Sequence, residues 1–131
     1  MSISVRHLVA RARDRVRNMS VAEVAEALDL GPVTLVDIRE ADEVWRDGAI
    51  PGAVQAARGM LEFWADPTCP YHREEFDPGA KIILYCSSGG RSALAAQTLQ
   101  ELGYLDVAHL EGGLNAWKEH GRPVMYQGGP R

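Results

Sequence analysis

Residues 82–92 read IILYCSSGGRS, an apolar block that ends in Cys86 and is followed at once by two serines, two glycines, Arg91 and Ser92. A cysteine attacks as its thiolate, and an unperturbed thiol with a pKa of about 8.5 is only slightly ionised near neutrality. This stretch offers three sources of positive potential: the amino end of a helix beginning near Arg91, the N–H groups of a tight loop, and the Arg91 guanidinium. Gly89 and Gly90 permit the backbone angles by which a loop turns its amides toward one point. The expected product is a small anion-binding bowl made by Ser87, Ser88, Gly89, Gly90, Arg91 and Ser92, with the sulfur of Cys86 at its floor. Such a bowl needs no separate base, so the scattering of His7, His72, His109 and His120 does not weigh against it. His109, near the carboxyl end of an expected strand, reads as a satisfied and partly exposed side chain. The competing reading of Cys86, a buried thiol closing a strand, suits a lone cysteine better than one set among strand, glycines, arginine and helix start.

The elements that must position this loop follow from periodicity and punctuation. KIILYC is continuously apolar, as a strand buried on both faces requires. After the loop, RSALAAQTLQEL places Leu94, Ala95, Thr98, Leu99 and Leu102 on one helical face, and Gly103 stands where a left-handed cap would close it. Upstream, Ser20 with Glu23 has the form of a capping box opening a helix that Gly31-Pro32 ends. VTLVDI (33–38) reads as a second buried strand, READEVW as a helical turn, and DGAIPGA as a turn-rich loop with a short strand around Val54. A helix is expected from Arg58 to Phe63 and a polar, proline-broken surface loop over ADPTCPYHREEFDPGA. VAHL (107–110) is a third short strand, and EGGLNAWKEHG turns into a closing helix anchored by Trp117. Strands alternating with helices imply a parallel sheet with helices on both faces, and ligands of such sheets bind at the carboxyl ends of strands, where Cys86 lies.

The whole chain is consistent with this. Its 131 residues, 46% hydrophobic and 24% charged, suit one globular domain with a real core. No stretch approaches the apolar length of a membrane span, and two cysteines do not make a disulfide scaffold, so a cytoplasmic protein with free thiols is expected. The net charge of −4 without aromatic-basic interleaving argues against nucleic acid as a partner. Residues 1–18 carry five arginines against Asp14. Because Val5, Leu8, Val9, Ala12 and Val16 recur at helical spacing, this segment reads as an amphipathic helix belonging to the same domain, with its arginines on the solvated face. A docking or membrane-surface helix is the alternative.

Four motifs in order, VDIRE with Asp37 and Arg39, GAIPGA from Gly48 to Ala53, YCSSGGRS, and LEGGLNAW, resemble the rhodanese-like domains, single-domain sulfurtransferases, over roughly residues 20–123. The resemblance implies the α/β rhodanese-like fold: a central parallel sheet with helices on both faces. It also implies that Cys86 takes a sulfane sulfur from thiosulfate, polysulfide or a persulfide and yields it to a thiophilic acceptor, a thiol or a cyanide-like anion. The loop from Ser87 to Ser92 would hold the donor, and Asp37 with Arg39 would brace the loop unless they form a surface ion pair. Ser92 either donates to the thiolate or caps the helix. Neither cofactor nor metal is implied. Four residues separate Cys86 from Arg91, whereas the related cysteine-based phosphatases have five, which favours sulfur over phosphate or arsenate chemistry. A persulfide carrier that docks a partner in a sulfur relay is the alternative. Two positions depart from the family pattern: Ala49 stands where His is common, and Ser87 where thiosulfate-using members often carry Arg, which weakens the expected grip on thiosulfate. Cys69 reads as a loop thiol without a role; a resolving thiol, or half of a metal site with His72, are its other readings.

Overall fold

The computed structural model of the chain describes residues 2–127. Among them are α1 (Val5–Arg15), β1 (Arg17–Met19), α2 (Val21–Leu30), β2 (Thr34–Asp37), α3 (Ala41–Asp47), β3 (Val54–Gln55), a 3-10 turn (Arg58–Met60), α4 (Leu61–Ala65), β4 (Lys81–Tyr85), α5 (Gly90–Glu101), β5 (Asp106–Leu110) and α6 (Gly113–Glu119). The strands form one parallel sheet in the order β1-β5-β4-β2-β3. The expected α/β architecture is therefore present, with β4, the strand that delivers Cys86, at its centre. No described helix is long and apolar enough to cross a membrane.

The period-2 alternation of β4 explains how both faces come to be covered. Ile82, Leu84 and Cys86 point into a core shared with Ala95, Ala96 and Leu99 of α5 and with Leu61 and Ala65 of α4. Ile83 and Tyr85 point the other way, against Val24 and Ala25 of α2 and Leu114 and Trp117 of α6. The capping box at α2 forms as expected, the Ser20 hydroxyl accepting from the Glu23 amide and the Glu23 carboxylate from the Ser20 amide.

Three features differ from the sequence reading. The edge strand β1 comes from Arg-Asn-Met, whose burial runs exposed, exposed, buried; three residues with one buried side chain offer no period to detect. Of the apolar stripe on α1, Ala12 is fully buried and Val16 nearly so, whereas Val5 is exposed, so only the carboxyl half of the helix lies on the core. The segment after α4 is a loop as expected, but a pinned one. Phe76 is fully buried, Tyr104 donates to the Ala65 carbonyl, and Arg73 stacks on Trp64 while donating to the Gln55 carbonyl. Phe63 and Tyr71 remain exposed.

Candidate active site

β4 ends at Tyr85 and α5 begins at Gly90, which leaves Cys86 to Gly89 as the loop between them. Cys86 is buried, and its Sγ accepts a hydrogen bond from the Gly89 amide at 3.2 Å. Gly89 itself takes a left-handed conformation, φ 104°, which turns the chain from the loop into α5 just after this contact. Gly90, read from sequence as a second conformational glycine, is the first residue of the helix and has no positive φ.

The outer carbonyls of the loop are held by α6. The amide of Leu114 donates to the Cys86 carbonyl at 2.9 Å and that of Asn115 to the Ser87 carbonyl at 3.0 Å. The two helices therefore act on the loop differently: α5 points its amino end into the bowl, while α6 fastens the loop's back. This is the physical content of the EGGLNAW motif. A side chain on Gly113, which has φ 59°, would collide with the Cys86 carbonyl and lie 2.6 Å from the Ser87 carbonyl carbon.

Asp37 and Arg39 lie behind the loop rather than at the surface. Both are buried; the guanidinium donates twice to the carboxylate, at 3.0 and 2.7 Å, and once to the Gly48 carbonyl at 2.6 Å. The Tyr85 hydroxyl donates to Asp37 at 2.8 Å and accepts from the Ile50 amide at 3.0 Å. Burial first, and then the Asp37 charge, push the phenol well above its ordinary value, so it stays a neutral donor. The network ties the GAIPGA loop to the residue immediately before Cys86. Ala49, at the position often held by His, contributes its backbone to a bridge with Met125.

Two residues that sequence reading left out of the site stand in it. Glu43, in the first turn of α3, receives two hydrogen bonds from Arg91, both 2.8 Å, and a third from the Ser87 hydroxyl at 3.1 Å. The Arg91 hydrogen bonds hold the Glu43 pKa down to about 2, and the carboxylate in turn raises that of Arg91. The cation expected to hold a donor thus already carries a carboxylate. Lying 48 residues away in sequence and within a stretch read only as a helical turn, Glu43 gave little signal beyond its place three residues after Glu40, with which it forms a capping box.

His109 is the second. It is fully buried, not partly exposed, with Nδ1 2.9 Å from the Ser92 hydroxyl and Nε2 2.6 Å from Asn18 Oδ1. Ser92, on the inner face of α5, stands 3.5 Å from Cys86 Sγ. Its hydroxyl meets the sulfur and does not cap α5, whose cap residue is Gly89. The signal for His109 was positional: β5 lies beside β4, and Leu84, two residues before Cys86, is its register partner.

Cys69 and His72 form no ligand set. The His72 ring meets the Phe76 carbonyl at 2.8 Å, and among the described residues no group of His, Cys, Asp or Glu could hold a metal. Both cysteines are free thiols.

Known proteins resemble this chain in sequence and in fold. The model of the rhodanese-like domain matches residues 20–120. A sulfurtransferase of Allochromatium vinosum is 35% identical over 97 residues, covering 74% of this chain and 82% of that protein. The thiosulfate sulfurtransferase GlpE of Pseudoalteromonas translucida is 31% identical over 102 residues, 78% and 89% of the two chains. Other curated relatives are longer proteins, of which the match spans 26%. Among solved structures, a protein of unknown function from Rhodopseudomonas palustris, described as a possible tyrosine phosphatase, superposes with a TM-score of 0.88 at 39% identity, over 95% of this chain and 96% of the other. With the matched model spanning strand, loop and helix around Cys86, the chain belongs to the rhodanese-like domain family.

Proposed function

We propose that the protein is a sulfurtransferase in which Cys86 accepts a sulfane sulfur as a persulfide and passes it to a thiophilic acceptor. The observation that carries this reading is Cys86 Sγ lying 3.2 Å from the Gly89 amide in a four-residue loop that closes on Arg91 at the start of α5. The relatives described as sulfurtransferases support the same chemistry. The thiolate attacks the outer sulfur of the donor. A new S–S bond forms, the bond between that sulfur and the rest of the donor breaks, and the electron pair departs with sulfite, from thiosulfate, or with a thiolate, from a persulfide. The acceptor's nucleophile then takes the outer sulfur, and Cys86 returns as thiolate. Loop amides and the amino end of α5 stabilise the negative charge that sulfur carries throughout. Asp37 and Arg39 act behind the loop, fixing Tyr85 and the Gly48 turn.

Glu43 bears on the donor. A dianion such as thiosulfate entering the bowl meets the carboxylate that already occupies Arg91, and Ser87 supplies no compensating cation. A persulfide, with less charge to place, is the better donor. Resemblance to the possible tyrosine phosphatase favours a second reading, phosphate ester hydrolysis, which the short loop opposes.

Intact-mass spectrometry of the wild type and Cys86→Ser, after brief exposure to thiosulfate or polysulfide, tests the proposal. The wild type alone should gain one sulfur atom, lost again on reduction. Gain by neither protein, together with aryl phosphate hydrolysis abolished in Cys86→Ser, would move the assignment to the phosphatase. Steady turnover with small donors separates an enzyme from a carrier, which would load once and wait for its partner.

A further inference from the structure

Behind the reactive sulfur, a chain of side chains, buried from Cys86 through His109 and ending at the exposed Asn18, links α5, β5 and β1: Cys86 Sγ to Ser92 Oγ at 3.5 Å, Ser92 Oγ to His109 Nδ1 at 2.9 Å, and His109 Nε2 to Asn18 Oδ1 at 2.6 Å. Its hydrogens can be assigned from the far end. The Asn18 amide nitrogen donates to the carbonyls of Arg13 and Val16, at 3.0 and 3.2 Å, so its oxygen faces the imidazole and Nε2 must be the donor. In the neutral ring Nδ1 is then a bare acceptor, and Ser92 is its partner. The Ser92 hydroxyl also lies 3.3 Å from the Gly89 carbonyl, a longer contact that would leave Nδ1 buried and unpaired. With its hydrogen directed at His109, Ser92 presents lone pairs to Cys86, and the thiol donates to them.

From this geometry we propose that Ser92 and His109 form a proton relay for Cys86, with His109 the positioning residue that stores the proton while the sulfur is anionic. The S–H bond of Cys86 breaks and its proton goes to Ser92 Oγ, while the proton already on Ser92 passes to His109 Nδ1. The sulfur keeps the electron pair and the imidazole becomes imidazolium. No net charge is created, and each member of the chain then donates toward the sulfur: Nδ1–H to Ser92, and Ser92 O–H to the thiolate. Breaking the relay leaves the thiolate facing lone pairs or leaves Nδ1 unpaired, so proton storage and thiolate formation are coupled.

The groups around the imidazole act in both directions. Burial comes first and lowers its pKa; Glu111, 3.8 Å from Nε2, raises it; Arg13 on α1, which also pairs with Glu111 at 3.3 Å, lowers it. Asn18 on β1 and Ser92 on α5 are neutral, and Cys86 is the one further group that can take a charge toward the ring through Ser92. The net lowering opposes protonation of the ring by solvent, so what holds a proton on Nδ1 is the thiolate it faces through Ser92.

The relay deepens the sulfurtransferase reading but is tested without a sulfur donor. The pH profile of Cys86 alkylation by iodoacetamide, resolved from Cys69 by peptide mass mapping, gives the apparent thiol midpoint. In His109→Gln and in Ser92→Ala that midpoint should rise by about one unit, slowing alkylation about tenfold below it. The double variant should add little to either single one, because the two substitutions break the same chain. An unchanged or lowered midpoint in either folded variant overturns the proposal. A measurement on the wild type stands apart from folding of the variants: imidazole nitrogen NMR above the thiol midpoint should show His109 Nδ1 protonated, and alkylating Cys86 should return it to the bare state. Nδ1 unprotonated in both conditions also overturns it. If the midpoints shift and no persulfide ever forms, the relay holds and the sulfurtransferase reading fails; persulfide formation with unmoved midpoints is the reverse.

Discussion

Gly113 and Gly90 flank the same loop and should respond oppositely to a methyl group. At Gly113 an alanine would need φ 59° and would press its Cβ into the Cys86 carbonyl and the Ser87 backbone, so α6 must retreat from the loop it fastens. The backbone strain alone costs about 1–2 kcal/mol. Gly113→Ala should lower both thermal stability and the rate of Cys86 alkylation. At Gly90 the conformation is helical and the nearest atom to an added Cβ, Val9 Cγ2, lies at 3.8 Å, an ordinary contact. Gly90→Ala should keep its loading with sulfur and hold or slightly gain stability, since alanine is the better helix former by about 1 kcal/mol. Loss of loading in Gly90→Ala, by intact mass, would mean that the loop needs this glycine too. The pair also measures how much of the site was legible. Cys86, its four-residue spacing to Arg91 and the conformational role of Gly89 could be read directly, because local backbone chemistry dictates them. Sequence could not distinguish the two glycines, since which of them turns depends on where α5 starts.

At the scale of elements, the same division holds. Continuous apolar runs and a capping box announced β2, β4 and α2, whereas β1, with one buried side chain, and the reach of α3 into the bowl arise from tertiary placement alone. α3 is short, seven residues, and its first turn supplies Glu43 to Arg91 and Ser87. Because the folded-state pKa of Glu43 is lowered, to about 2, its contribution to stability is present above the ordinary carboxylate value and is lost as pH falls from there through about 2. Glu43→Gln keeps an acceptor for the Glu40 amide but removes the charge. The variant should therefore unfold at lower urea than the wild type at pH 6, with the two curves converging near pH 2. Freed of its carboxylate, Arg91 should also bind thiosulfate better, with KM roughly tenfold lower, the worth of one charge-assisted hydrogen bond. A KM for thiosulfate unchanged in Glu43→Gln would show that the carboxylate does not compete with the donor.

On the scale of the whole molecule, the matched family region begins at residue 20, yet the physical core begins earlier. Ala12, Val16 and Met19 are buried, β1 completes one edge of the sheet against β5, and Arg13 and Asn18 reach the back of the site through Glu111 and His109. The arginine-rich segment is thus a covering layer in which the apolar side of α1 protects α5 while most of its arginines face solvent. Burial of Val16 and Met19 alone is worth about 3–6 kcal/mol, a large part of the stability of a domain of this size. A chain of residues 20–131 should therefore unfold at markedly lower urea than the full chain. It should also lose hydrogen-exchange protection first in β5 and α5, the elements α1 and β1 cover, before β2 and β3 on the opposite edge. The same truncation removes Asn18, so the His109 ring loses the partner that fixes its tautomer. Cys86 alkylation should then shift toward higher pH in the truncated chain under conditions where it remains folded. Equal urea midpoints for the two chains would instead make the first nineteen residues an appendage, and the arginines of α1 would then have to be explained as a docking surface.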